Sequence, residues 1–284
     1  MIFDKHKIVH IRGVDHPESL GIAPDGNFYT TGTGCQVYHV DVANNQATQV
    51  ATTDGRVLGT AVDADGNVYL AHTAGDVLKM TPDGTLSTYA IAPGGAKFMC
   101  SNYLAFDKQG NLYFSDSGTW APKIEGVIYK IPPGGGEAVR WYPQCVDTPN
   151  AVALDAEERY LYFVETFGNS IARIAINADG SAGEFERVVH LPRHIPDGIA
   201  FDTEGRLWIA CHRPDVIYVY HLKTKKLELF CEDWAGEKLR GPTDVAFGGP
   251  DRDIVFAASL DNLVVHRFDN TGVRGLPLNH PKIG

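Results

Sequence analysis

Ala61-Val-Asp-Ala-Asp-Gly-Asn-Val-Tyr-Leu-Ala-His72 is a short apolar run, a turn, and a second apolar run with an aromatic residue at its centre. The Asp-Gly pair supplies the positive φ that a tight hairpin needs, so the stretch reads as two antiparallel strands. The same phrase recurs as Gly21-IAPDGNFYTTG, Ala105-FDKQGNLYFSD, Ala153-LDAEERYLYFVET, Ala200-FDTEGRLWIAC and Ala246-FGGPDRDIVFAAS. The central residues Tyr29, Tyr69, Tyr113, Tyr162, Trp208 and Val255 lie 40, 44, 49, 46 and 47 positions apart, so six units fill the 284 residues. Two further strand-like stretches follow each hairpin, as in Gln36-VYHVDV and Ala47-TQVAT. Four strands repeated every 40–50 residues predict an all-β, six-bladed propeller formed as one domain over residues 1–284. A sandwich or barrel shows similar strands without six equal repeats. Closure needs a strand from Lys7-IVHI or from the tail around Val273-RGLPL, and the sequence does not choose between them.

Composition narrows the function. With 44% apolar residues the chain is long enough to bury a large core, which excludes disorder and disulfide-stapled miniature folds. A net charge of −10 with no basic cluster argues against nucleic acid. The five cysteines have no metal-finger spacing, and the N-terminal residues show no signal-peptide pattern, so a cytoplasmic setting with reduced thiols is expected. No apolar run of roughly 18 residues is present, so no helix is expected to span a membrane. Oligomeric state is not legible.

In a propeller, residues at one phase of the repeat form a ring. Eight positions ahead of each hairpin turn stand Glu18, Leu58, Asn102, Asn150, Asp197 and Thr243, five of them bearing oxygen. These positions open the innermost strands and can converge on the channel. Two carboxylates and two amides, without Cys or His, are hard ligands suited to Ca²⁺, with Mg²⁺, Mn²⁺ or Fe²⁺ as alternatives. No organic cofactor is indicated. The bland alternative is a hydrated polar pore. Proline precedes Glu18, Asn150 and Asp197 and stiffens their approach. Second strands end on the same face, which adds Thr31, His72, Asp116, Glu165, His212 and Ser259. Of these, Asp116 is a candidate general base, with His72 and His212 as candidate substrate-binding residues.

At these residues the chain resembles the SMP-30/gluconolactonase/luciferin-regenerating-enzyme family of six-bladed propellers. The resemblance rests on His16-PESLGIAPDGNFY, Asn102-YLAFDKQGNLYFSDSG, Pro149-NAVALDAEERYLYFVET and Pro196-DGIAFDTEGRLWIA. It implies a divalent cation held by Glu18, Asn150 and Asp197, with Asn102 contacting metal or substrate. Resemblance to a branch of drug-responsive bacterial lactonases further implies that Asp116, in the F-[ST]-D motif, contributes to activity. Sugar-lactonase members often carry Arg and Asp around the third-blade Asn, where Ser101 and Tyr103 stand here, which points away from sugar-acid lactones.

The expected reaction is metal-dependent opening of a lactone or related cyclic ester by an activated water, with Asp197 or Asp116 as base. An organophosphate-cleaving propeller and a non-catalytic scaffold are the alternatives.

Overall fold

The computed structural model describes residues 2–283, and it is a six-bladed propeller built on four-stranded antiparallel sheets, with a fifth short strand added to blades 2 and 3. Blades 1 to 5 open with the inner strands Gly21–Ile22, Val57–Val62, Ser101–Phe106, Pro149–Leu154 and Ile195–Phe201, and blade 6 with Pro242–Gly248. The closing strand comes from the N-terminus. Val9–Arg12 pairs with Val264–Phe268 and completes blade 6. The C-terminal tail crosses one end of the channel, where Leu276 N–H donates to Phe201 C=O at 2.9 Å and Ile283 is buried with blades 2 and 3.

The recurring turn works through its first aspartate. Asp63 accepts backbone N–H groups from Asp65 and Asn67 and the Tyr69 hydroxyl at 2.9 Å. Asp202 repeats the device with Glu204, Arg206 and the Trp208 indole. One carboxylate thus satisfies the turn's donors and anchors the central aromatic of the next strand. Those aromatics, fully buried, pack edge-on between neighbouring blades, as Trp208 does with Phe230 and Phe247.

The inner strands of blades 2 to 6 bear an irregularity near their start, whereas the short blade 1 strand Gly21–Ile22 pairs in regular register. Blades 2 to 5 place two residues opposite one at 58–59, 102–103, 150–151 and 197–198, and blade 6 has its irregularity between Pro242 and Asp244. A bulge re-aims the side chains it carries, and these bulges fall where the phase count places the candidate ligands. Gly198 permits close approach here, since a Cβ would lie 2.4 Å from the Asp244 Cα of the next blade.

All five cysteines are free, and no described helix is long and apolar enough to cross a membrane.

Candidate functional site

Four buried or nearly buried groups gather where the inner strands begin. Burial raises the Glu18 carboxyl above its usual range, opposed by the Arg56 guanidinium, whose Nη2 lies 2.7 Å from Oε2. Asp197 is raised well above the usual range by burial, then by the charges of Glu18 and Asp244, while Asn150 favours its ionised form by hydrogen bonding. The two carboxylates therefore feel each other across the axis, although they come from blades 1 and 5. Asp244 joins them, pushed up to about 7 by burial despite bonds from Tyr103 and two backbone N–H groups.

The asparagines are held by one device used twice. Asn102 Nδ2 donates to Ser117 Oγ at 2.8 Å, and that hydroxyl donates to Pro149 C=O at 2.6 Å. Asn150 Nδ2 donates to Thr166 Oγ1 at 3.2 Å, and that hydroxyl donates to Pro196 C=O at 3.2 Å. Each hydroxyl follows the last residue of a second strand and spends its proton on the next blade. With the amide N–H side committed, Oδ1 is the atom each asparagine offers as an acceptor. Ser117→Ala and Thr166→Val are each expected to weaken divalent-cation binding about tenfold without unfolding the blade, read by calorimetry with Ca²⁺ on the purified protein.

Two buried carboxylates that repel each other and two amides presenting carbonyl oxygen fit a hard divalent cation. Among the described residues no cluster of three or more His, Cys, Asp or Glu has metal-ligand geometry, so the fit rests on this mixed set.

The remaining expected residues lie around this centre. Asp116 is buried, and its oxygens accept Met99 N–H at 2.9 Å, Cys100 N–H at 2.8 Å and Gly118 N–H at 3.1 Å. Asp116→Ala leaves those three donors without their partner. It is expected to cost about 2–3 kcal/mol, read as a melting point lower by several degrees. His72 is buried between two carboxylates, with Nδ1 2.6 Å from Asp76 and Nε2 3.1 Å from Asp54. His212 has its pKa lowered by burial and lies 3.6 Å from Asp261. Neither histidine bonds a member of the axial set among the described residues. At the rim Trp120 is exposed, its ring 5.8 Å from Phe167.

Sequence reasoning missed Arg56, Asp244, Ser117 and Thr166. The last two stand one place beyond Asp116 and Glu165, which were named as ends of second strands, and Asp244 stands one place beyond Thr243 of the phase count. Arg56 had no signal in the repeat.

Residues 34–261 match the SMP-30/Gluconolactonase/LRE-like region. Lactonase drp35 of Staphylococcus saprophyticus is 21% identical over 241 residues, which cover 81% of this chain and 74% of that protein. Pentonolactonase XacC of Haloferax volcanii is 25% identical over 72% of this chain and 67% of its own. Other relatives are matched over about half of their own length. Among solved structures, regucalcin of Agrobacterium tumefaciens, described as a calcium-binding protein, superposes with a TM-score of 0.78 at 18% identity, covering 96% of this chain and 95% of that one. At that identity the likeness is one of fold.

Proposed function

Since the chain belongs to the SMP-30/gluconolactonase/LRE-like family, we propose that it is a divalent-cation-dependent hydrolase that opens a lactone or related cyclic ester at the Glu18–Asp197 end of its channel. The observation that carries this reading is the pair of largely buried, mutually repelling carboxylates beside two asparagines, each donating an amide N–H to a neighbouring hydroxyl. An uncharged pore or a scaffold has no use for such a pair, because each buried charge costs free energy without a partner. The names of the drp35 and XacC relatives favour a lactone substrate, and the regucalcin likeness favours calcium over Mg²⁺, Mn²⁺ or Fe²⁺.

Glu18, Asp197 and the Oδ1 atoms of Asn102 and Asn150 would hold the ion. When bound, the cation supplies positive charge that polarises the ester carbonyl and acidifies water. Asp197 is assigned as the base. A carboxylate oxygen of Asp197 takes a proton from the attacking water as its oxygen bonds the carbonyl carbon. That proton then passes to the ring oxygen as the ring C–O bond breaks, which leaves a hydroxy acid. Asn102 and Asn150 orient, and the Arg56 guanidinium opposes the effect of burial on Glu18. Asp116 acts through Met99, Cys100 and Gly118, whose backbone N–H groups its oxygens tie together. His72 and His212 line the wall toward the substrate.

A panel of a γ-lactone, an aryl ester and an organophosphate, each with Ca²⁺ and with EDTA, tests the reading. Cation-dependent turnover led by the lactone is expected. Preference for the organophosphate, or turnover untouched by EDTA, contradicts it.

A further inference from the structure

One hydrogen bond closes the channel just inside the oxygen set. One step along from the ligand phase stand Ser19, Gly59, Tyr103, Ala151, Gly198 and Asp244. Four of these are too small to reach the axis. Tyr103 and Asp244 belong to blades 3 and 6, which face each other in a six-membered ring, and they meet there. Tyr103 Oη donates to Asp244 Oδ2 at 2.8 Å. Leu20 N–H donates to that same oxygen at 2.8 Å and Val245 N–H to Oδ1 at 2.8 Å, so the carboxylate is fixed from blades 1, 3 and 6.

Beneath the crossbar the channel is empty of large side chains. Gly21, Ala61, Ala105, Ala153, Ala200 and Ala246 stand at one level, and all six line a cavity of about 310 Å³. Tyr103 bounds the cavity at one end and the tail residues Leu276 to His280 at the other. None of Glu18, Asn102, Asn150 or Asp197 lines it. Its wall is built mainly from Ala, Leu, Val and Phe, and a space of this size accepts several methylene groups.

We propose that the Tyr103–Asp244 crossbar is the floor of the site and selects lactones by the length of their ring substituent. Short substituents fit above the floor, and a long alkyl substituent finds room in the chamber only when Tyr103 is removed. The inference rests on the lactone-opening reading and adds to it a specificity-determining residue.

The test compares γ-valerolactone with γ-decalactone, which differ in substituent length. Wild type is expected to favour the shorter. Tyr103→Ala is expected to raise the long-to-short ratio of kcat/KM at least tenfold, mainly through KM, because each methylene buried in an apolar pocket is worth about fourfold and γ-decalactone carries several more of them. Tyr103→Phe keeps the ring and should stay within about threefold of wild type. Adding Ala200→Leu to Tyr103→Ala refills the chamber and should cancel the gain. Melting curves establish that each variant is folded. A folded Tyr103→Ala protein with an unchanged ratio, or a gain that Ala200→Leu leaves intact, overturns the floor. If wild type opens neither lactone, the functional reading fails on its own. The floor is then tested by calorimetry with γ-decalactone. Tenfold tighter binding to Tyr103→Ala, lost on adding Ala200→Leu, supports it, and equal binding to all three proteins overturns it.

Discussion

Asp197→Asn is expected to slow lactone hydrolysis by on the order of 10³-fold while melting no lower than wild type in EDTA at pH 8. The two halves have one cause. Asp197 is a buried carboxylate raised well above its ordinary range by burial and by the charges of Glu18 and Asp244. Its ionised form is therefore a liability to the empty site, and a neutral amide of the same shape removes that liability. In the proposed mechanism the same ionised form accepts the proton of the attacking water and holds the cation, and the amide would do neither. A variant that lost activity and stability together would mark Asp197 as a structural residue. One that kept both would remove it from the site. kcat and KM measured beside a melting curve separate the three results.

A second large effect is the pH dependence of stabilisation by calcium. Asp244 is pushed up to about 7, and Glu18 and Asp197 are also raised, in each case with burial as the largest cause. In the unfolded chain such groups titrate near 4. Between about pH 4 and 7 the folded, cation-free protein thus retains protons that the unfolded chain has released. The stability those protons represent is present at low pH and is lost as pH rises through the folded values. Calcium needs the deprotonated carboxylates, so its effect runs the other way. At 100 times Kd it contributes about 2.7 kcal/mol, and a melting shift of about 5 °C is expected at pH 8. The shift should be smaller at pH 5, because the raised Glu18 and Asp197 carboxyls compete for protons as pH falls. His266 and His280, whose pKa values burial lowers, tilt the stability of the free and loaded forms alike and cancel from the difference. Equal shifts at both pH values would mean that ionised carboxylates do not hold the ion.

The fold was legible because its turns repeat. One turn aspartate in each of blades 2 to 5, Asp63, Asp107, Asp155 and Asp202, accepts backbone N–H groups of its own turn, and such repetition survives in sequence as a period. The candidate site was proposed from one phase of that period, where Glu18, Asn102, Asn150 and Asp197 stand. It was not legible one step along. A bulge turns two consecutive residues toward the channel where a regular strand turns one, and alternation alone does not announce a bulge. Asp244 was missed for that reason, and Tyr103 was read only as a neighbour of Asn102. Arg56 depends on a single contact between blades 1 and 2, which leaves no periodic trace. The closing strand was ambiguous because either terminus carries a plausible apolar run. Pairing of Val9–Arg12 with the last blade frees the tail to cross the channel instead.

Calorimetric titration of calcium into EDTA-treated protein at pH 7.5 goes most directly to the account. One ion per chain is expected for wild type, with affinity reduced at least a hundredfold in Glu18→Gln and Asp197→Asn. No heat of binding in wild type, or the same binding in both variants, would contradict an axial ion held by carboxylates from separate blades.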